Sequence, residues 1–374
     1  MDRIFSPVGQ GCFAIEKFSK KTVVVFDCGT LTRIGNQTRT DFINQRIKEE
    51  IHCDEIIRYV FISHLDIDHV NGLAYLLWNY TVNEVVLPLL YDESKELYLG
   101  KNALSDSEEF NRLRFLIERP VEFVQEYSRY HHTKTTFVAP VGEFGIEQKW
   151  DMSTCYSGKE FHINKWVFVP FNFQYRENTL KLKKNLLDMG VNLDKIKDRS
   201  VDILKDSDLV IRIKKAYKRI DNDLNQNAMT VYSGPKEYSH YQTKMLTHGI
   251  PIVCGRNTPK KLTRAGCLYT GDYNASTNER WDNLKCSYRP YWDNIGLLQV
   301  PHHGSEDCYN DQMGYDDCLL IINAGTKNDY HHPNPSVLYS LYKTNNTVIW
   351  VSEEESSAMQ FKILRRKSIV AKRI

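Results

Sequence analysis

Apolar runs that stop abruptly at polar residues recur along this chain. Val23-Val-Val-Phe26 leads into Asp27-Cys-Gly, and Tyr59-Val-Phe-Ile62 empties into Ser63-His-Leu-Asp-Ile-Asp-His69. Further on, Gly266-Cys-Leu-Tyr269 ends in Thr270-Gly-Asp272, Ile295 to Val300 ends in Pro-His-His-Gly-Ser305, and Leu319-Leu-Ile-Ile322 precedes Asn328-Asp-Tyr-His-His-Pro333. Runs this rich in β-branched and aromatic residues, with no polar interruption, predict strands buried on both faces. The turn at Gly9 to Gly11 with the alternation after it predicts a hairpin, and Glu84 to Tyr91, Asn225 to Pro235 and Ala358 to Leu364 predict further strands. Residues 37–51 carry Phe42, Ile43, Ile47 and Ile51 at helical spacing, and a second helix is expected from Val70 through Trp78. Helices alternating with strands in this order argue for helices packed on sheets, with function in loops at strand ends.

The texture changes between about 91 and 225. A helix capped near Ser105 and running through Ile117 should stop at Pro120, with short strands at Val121 to Val124, Phe137 to Pro140 and Trp166 to Phe173. Residues 176–220 read as helical and basic. The expected organisation is therefore a core in two halves, 1–90 and 226–374, separated by an insertion over 91–225 near the mouth of the site.

Alternate residues of an extended segment point the same way, so His64, Asp66 and Asp68 can converge on one point, with His69 turning in from the start of the following helix. Imidazoles and carboxylates at that density suit a pair of divalent ions better than one ion. A solvated polar turn is the competing reading, and the repetition downstream weighs against it. Six of the twelve histidines, at 64, 69, 302, 303, 331 and 332, sit at strand exits. Asp27 at its own strand end is either a turn carboxylate or a group that orients a ligand.

Composition narrows the partners. The formal charge of +2, from 49 basic and 47 acidic residues, gives no global field for polyanions or anionic membranes. No apolar run approaches the roughly 20 residues needed to cross a bilayer, and the first residues lack the layout of a signal peptide, so a cytoplasmic protein is expected. Nine cysteines without a Cys-x-x-Cys pair indicate neither a disulfide framework nor a zinc ribbon. The basic stretch and the tail from Arg365 to Arg373 read first as solvated faces, with contact to phosphate as the alternative.

Taken together, Val8-Gly-Gln-Gly11, Val25-Phe-Asp-Cys-Gly29, Ser63-His-Leu-Asp-Ile-Asp-His-Val-Asn-Gly72, Thr270-Gly-Asp272, Val300-Pro-His-His-Gly-Ser305 and Asn328-Asp-Tyr-His-His-Pro333 resemble the metallo-β-lactamase fold superfamily. The likeness is to its branch related to the hydrolase (nuclease) domain of the bacterial DNA-uptake competence channel protein. The resemblance implies an α/β (α+β) αββα sandwich, here with a mixed helix and strand insertion. It also implies a two-metal site lined by His64, Asp66, Asp68, His69, Asp272, His302 and His332, with Asp272 bridging, and with Asp27 and Ser305 behind the ligands. Asp66 stands where most of the superfamily has histidine, which favours harder ions. His331 replaces a glycine. The additional histidine that many relatives carry before the bridging Asp has only His240 and His248 as candidates.

The resulting expectation is a metal-dependent hydrolase using two divalent ions, zinc or manganese with magnesium admissible, and acting as a phosphodiesterase or nuclease on nucleic acid or nucleotides. Asp68 would be ligand and proton acceptor, with His303 or His331 serving the leaving group. The resemblance also implies a place in bacterial defence, with which similar stand-alone proteins are often associated. The alternatives are a hydrolase of a carboxylic ester, thioester or lactone, and a regulatory or effector partner protein with a degenerate metal site, whose insertion binds a protein.

Overall fold

The computed structural model describes residues 1–19, 21–91, 94–95, 107–129, 132–141, 153–174, 181, 184–191, 207–218, 228–237, 241–246, 252–254, 261–315, 318–344 and 347–365. His131, His240, His248 and the tail beyond Arg365 lie outside them.

Two sheets face each other. The first runs, edge to edge, Lys261–Leu262, Tyr241–Leu246, Met359–Arg365, Asp2–Phe5, Gly11–Ser19, Thr22–Thr30, Ile56–Phe61, Glu84–Pro88, Lys134–Val138 and Thr154–Cys155, with Thr81–Val82 also beside Ile56–Phe61. The second runs Ile252–Cys254, Val348–Val351, Leu319–Asn323, Ile295–Gln299, Gly266–Tyr269, Ala228–Pro235, Trp166–Phe173 and Phe161–Ile163.

Side-chain alternation explains why the central strands are apolar throughout. In Thr22–Thr30, Val23 and Val25 join a core under the helices Arg39–Glu50, Leu73–Asn79, Glu108–Glu118 and Pro120–Tyr127, whereas Val24 and Phe26 join the core between the sheets. Leu320 and Ile322 likewise face the helices Asn278–Ser287 and Pro335–Lys343, and Leu319 and Ile321 face the first sheet. Three stacked cores make four layers, helix on sheet on sheet on helix.

Between the sheets, Phe26 stacks on Tyr269 at 3.8 Å, and a fully buried ion pair of the first sheet faces the same space. Arg3 donates from Nε to Glu16 Oε1 at 2.6 Å, and from its two terminal nitrogens to the carbonyls of Ala265 and Ser233. Glu16 also accepts from Ser233 Oγ and Tyr269 OH, so this cluster bonds one sheet to the other.

The strands Thr22–Thr30, Ile56–Phe61, Glu84–Pro88 and Lys134–Val138 are mutually parallel, as are Gly266–Tyr269, Ile295–Gln299, Leu319–Asn323 and Val348–Val351. Parallel neighbours end on the same side, which brings their polar exits together, as expected of open α/β sheets.

One expectation shifts. Pro120 does not only stop the preceding helix but opens the next, Pro120–Tyr127, as its first residue. Its fixed φ and missing N–H suit that position, so Val121 to Val124 are helical rather than extended. The stretch 91–225 is also woven into the sheets through Lys134–Val138, Thr154–Cys155, Phe161–Ile163 and Trp166–Phe173. The last of these pairs along its whole length with Ala228–Pro235. Among the described residues, no helix is long and apolar enough to cross a membrane.

Candidate metal centre

The exit after Ile56–Phe61 places Ser63, His64, Asp66, Asp68 and His69 in one buried turn that runs into the short helix Ile67–Val70. Gly29 on the adjacent strand permits this. A Cβ there would overlap the backbone joining Asp68 to His69, so the turn can settle against the strand only where no side chain stands. Gly271, at φ 52°, would similarly drive a Cβ to 2.6 Å from Ser63 Oγ.

Asp272 enters from the second sheet and stands at the centre. Its Oδ2 lies 3.4 Å from His64 Nε2 and 3.5 Å from His302 Nε2, and its Oδ1 lies 3.2 Å from His69 Nε2 and 3.7 Å from His303 Nε2. A second carboxylate joins each side: Asp66 Oδ2 at 3.7 Å from His64 Nε2, and Asp68 Oδ2 at 3.3 Å from His303 Nε2. Two donor sets result, His64, Asp66 and His302 on one oxygen of Asp272, and Asp68, His69 and His303 on the other.

Every Nδ1 in these sets is held from behind. His69 Nδ1 donates to Asp27 Oδ2 at 2.8 Å, and His303 Nδ1 donates to the Asn323 carbonyl at 2.7 Å. His64 Nδ1 lies 3.0 Å from Ser63 Oγ, whose own hydroxyl donates to Asp27 Oδ2, and His302 Nδ1 lies 3.1 Å from Cys308 Sγ. Held this way, each ring turns its Nε2 toward Asp272, the arrangement that supporting groups impose on metal-binding histidines.

The donors fit divalent ions. His64, His69 and His303 Nε2 and both oxygens of Asp272 are buried without a hydrogen-bond partner, an expensive condition unless something else occupies the space between them. Ligand atoms about 2.1 Å from a tetrahedral ion stand about 3.4 Å apart, which is the spacing observed here. Nitrogen and carboxylate donors without thiolate suit zinc, manganese or similar ions.

Charge within the cluster is finely divided. Burial opposes charge on Asp272, yet the imidazoles of His302, His69, His64 and His303 outweigh it and hold the carboxyl well below its usual range. Burial likewise opposes the charge of Asp68, and His303 and His69 reverse this. Burial lowers His69 and His303, but Asp272 with Asp27 in one case and with Asp68 in the other raises both. His302 ends lowered, because burial and His303 prevail over Asp272, and His332 is pushed down to about 3 by burial, His302 and His303. Loading cations would displace the protons from His69 and His303.

Of the residues singled out from sequence, His64, Asp66, Asp68, His69, Asp272, His302 and His303 converge, with Asp27 directly behind. Ser305 is buried, and its backbone N–H closes the turn onto the His302 carbonyl. His332 stands beside the sets, its ring 5.3 Å from that of His302 and its Nδ1 buried without a partner. His331 is exposed. Ser63, Asn323 and Cys308 complete the supports; Ser63 and Asn323 lie at strand exits, which is their only signal in the sequence. Asp27, His302 and His303 adopt φ of 52°, 48° and 56°, the left-handed conformation that side chains rarely take and that clusters at functional sites.

Residues 7–142 match the Metallo-beta-lactamase superfamily. No curated protein matches. Among solved structures, the chain is similar to human tRNase Z, short form, at 12% identity over 98% of this chain and 100% of that one, with a TM-score of 0.43. It is also similar to Zn(2+)-bound PqqB from Methylobacterium extorquens, at 8% identity over 97% and 99%, with a TM-score of 0.42. A third is MEM-A1, a subclass B3 metallo-β-lactamase from a soil metagenome library, at 10% identity over 82% and 78%, with a TM-score of 0.31. Residues 7–142 thus match the Metallo-beta-lactamase superfamily, and they lie in a two-sheet α/β framework consistent with that fold.

Proposed function

We propose that the protein is a two-metal phosphodiesterase acting on nucleic acid or nucleotides. The observation that carries this reading is the partition of donors by Asp272: one carboxylate oxygen faces His64 and His302, the other faces His69 and His303, and each side adds an aspartate. A pair of divalent ions held there would supply positive charge for the phosphoryl oxygens and a nucleophile available near neutral pH. Three carboxylates in the set favour the harder ions suited to phosphate chemistry.

The chain's own residues have distinct tasks. Asp27 and Ser63 fix the imidazoles of His64 and His69, and Asn323 fixes His303. Asp68, charged and in contact with His303, can take the proton of an attacking water. His303, held against Asp68 and Asp272, would give up its proton to a bound cation and steady the charge that develops on the leaving oxygen. His331, exposed on the adjoining loop and outside the donor sets, is left as the group that can pass a proton to that oxygen.

The test is hydrolysis of bis-p-nitrophenyl phosphate and of labelled single- and double-stranded DNA and RNA, with manganese, magnesium or zinc, beside a His64→Ala/Asp68→Ala protein. Metal-dependent cleavage lost in the variant supports the proposal. Cleavage of carboxylic esters, thioesters or lactones alone transfers it to those substrates. Failure of wild-type protein to retain any divalent ion removes the enzymatic reading.

A further inference from the structure

Tyr330 is an aromatic ring that the hydrophobic core does not use. It is 59% exposed, in the loop between Asn323 and Pro333 that also carries His332. Its ring lies 5.8 Å from that of His332 at an interplanar angle of 27°, and His332 in turn lies 5.3 Å from His302, whose Nε2 faces Asp272. Tyr330 is therefore the outermost ring of a row that leads inward to the proposed reaction centre.

The loop presenting it is fixed. Asn328 Oδ1 accepts from the backbone N–H of Tyr330 at 3.1 Å and of His332 at 2.9 Å, while Asn328 Nδ2 donates to the carbonyls of Gly325 at 2.7 Å and His332 at 2.5 Å. One side chain thus ties both ends of the Tyr330-His331-His332 segment. A backbone already held loses little conformational freedom when its side chain binds a partner, so more of the contact energy survives as affinity. One face leans toward His332, and the exposed remainder offers a flat apolar surface beside a site built for phosphoryl oxygens.

A flat apolar group carried next to a phosphodiester describes a nucleobase. We propose that Tyr330 forms a stacking subsite for the base adjoining the scissile phosphate, a proposal that rests on the phosphodiesterase reading above. Stacking is tolerant of sequence because every base has a π-face, so the subsite would read the presence of a base rather than its identity. The competing role for Tyr330 is to shield His332 from water.

The experiment compares wild-type protein with Tyr330→Ala, Tyr330→Phe and Tyr330→Trp on two labelled single strands, one fully base-bearing and one abasic at the cleaved nucleotide. Binding is read by anisotropy with metal-free protein, and KM and kcat are read with manganese. Loss of a stacked base should weaken Tyr330→Ala binding roughly 5- to 100-fold on the base-bearing strand, in KM rather than kcat, with a penalty about tenfold smaller on the abasic strand. Tyr330→Phe and Tyr330→Trp should retain wild-type affinity. Competition by a nucleoside 5′-monophosphate but not by ribose 5-phosphate would support base recognition, and its strength relative to the oligonucleotide would separate a free nucleotide from a strand. Equal losses on both strands, or a Tyr330→Phe as impaired as Tyr330→Ala, would overturn the subsite while leaving the nuclease standing. A wild-type protein that cleaves neither strand nor any nucleotide overturns both.

Discussion

Asp27 divides its carboxylate between two neighbours, taking the Ser63 backbone N–H on Oδ1 and the Ser63 hydroxyl and His69 Nδ1 on Oδ2. Asp27→Asn keeps the size but offers one acceptor oxygen where two are used, so His69 loses its orientation. We expect divalent-ion affinity, measured by competition with a chromophoric chelator, to fall roughly 10- to 100-fold. His332 gives a pH signature instead. Its imidazole sits near 3 in the folded chain against an ordinary 6.5, lowered first by burial and then by His302 and His303. Between those values the unfolded chain binds a proton that the folded chain refuses, so this residue makes stability rise with pH across that window and fall as the solution is acidified through it. In chelator-treated protein, His332→Gln should flatten the dependence of Tm on pH between about 4 and 6.5, and an unchanged slope would contradict this assignment.

The apolar strands and their polar exits were readable because burial on both faces forces an unbroken β-branched pattern, and because donors must cluster where strands end. His64 to His69, Asp272 and His302-His303 stand out on those grounds. Cys308 does not, since its role depends on lying 3.1 Å from His302, a fact of packing that local sequence cannot encode. Pro120 misled because the same residue ends one helix and opens the next. Trp166 to Phe173 was legible as a strand, but not its partner, because that strand, Ala228–Pro235, comes more than fifty residues later. The stretch from 91 to 225 also reaches a neighbour of the centre. Glu109, on the helix Glu108–Glu118, accepts from Asn71 Nδ2 at 3.0 Å and pairs with Arg39 at 2.8 Å, and Asn71 is bonded to the backbone of Thr30 through both its amide atoms. The helix therefore grips the residue two places after His69. Glu109→Gln should weaken ion affinity only a few-fold, whereas Gly29→Ala, which thrusts a methyl into the backbone of Asp68 and His69, should destabilise the protein by roughly 2–4 kcal/mol in urea titrations.

At the scale of the whole molecule, the Arg3–Glu16 cluster decides how the two sheets sit. Glu16→Ala would leave a guanidinium fully buried beside Tyr269 and Ser233 without its counter-charge, and should cost about 3–5 kcal/mol in denaturant unfolding, whereas Arg3→Met with Glu16→Leu should recover most of that loss. The centre draws on both sheets as well, with His64 and His69 from one and Asp272, His302 and His303 from the other. Bound ions should therefore raise Tm, and chelation should lower it in a manner that depends on ion concentration. The first strand, Asp2–Phe5, is meanwhile hydrogen-bonded to the last, Met359–Arg365. A ribosome consequently makes this site in two instalments. The histidines near residue 64 emerge roughly 200 residues before Asp272, about 10–40 s ahead of it at ordinary elongation rates of roughly 5–20 residues per second. Until the second sheet arrives they have no Asp272 to face. On the two-metal proposal, an ion held between the two sheets would be acquired only once the chain has folded that far.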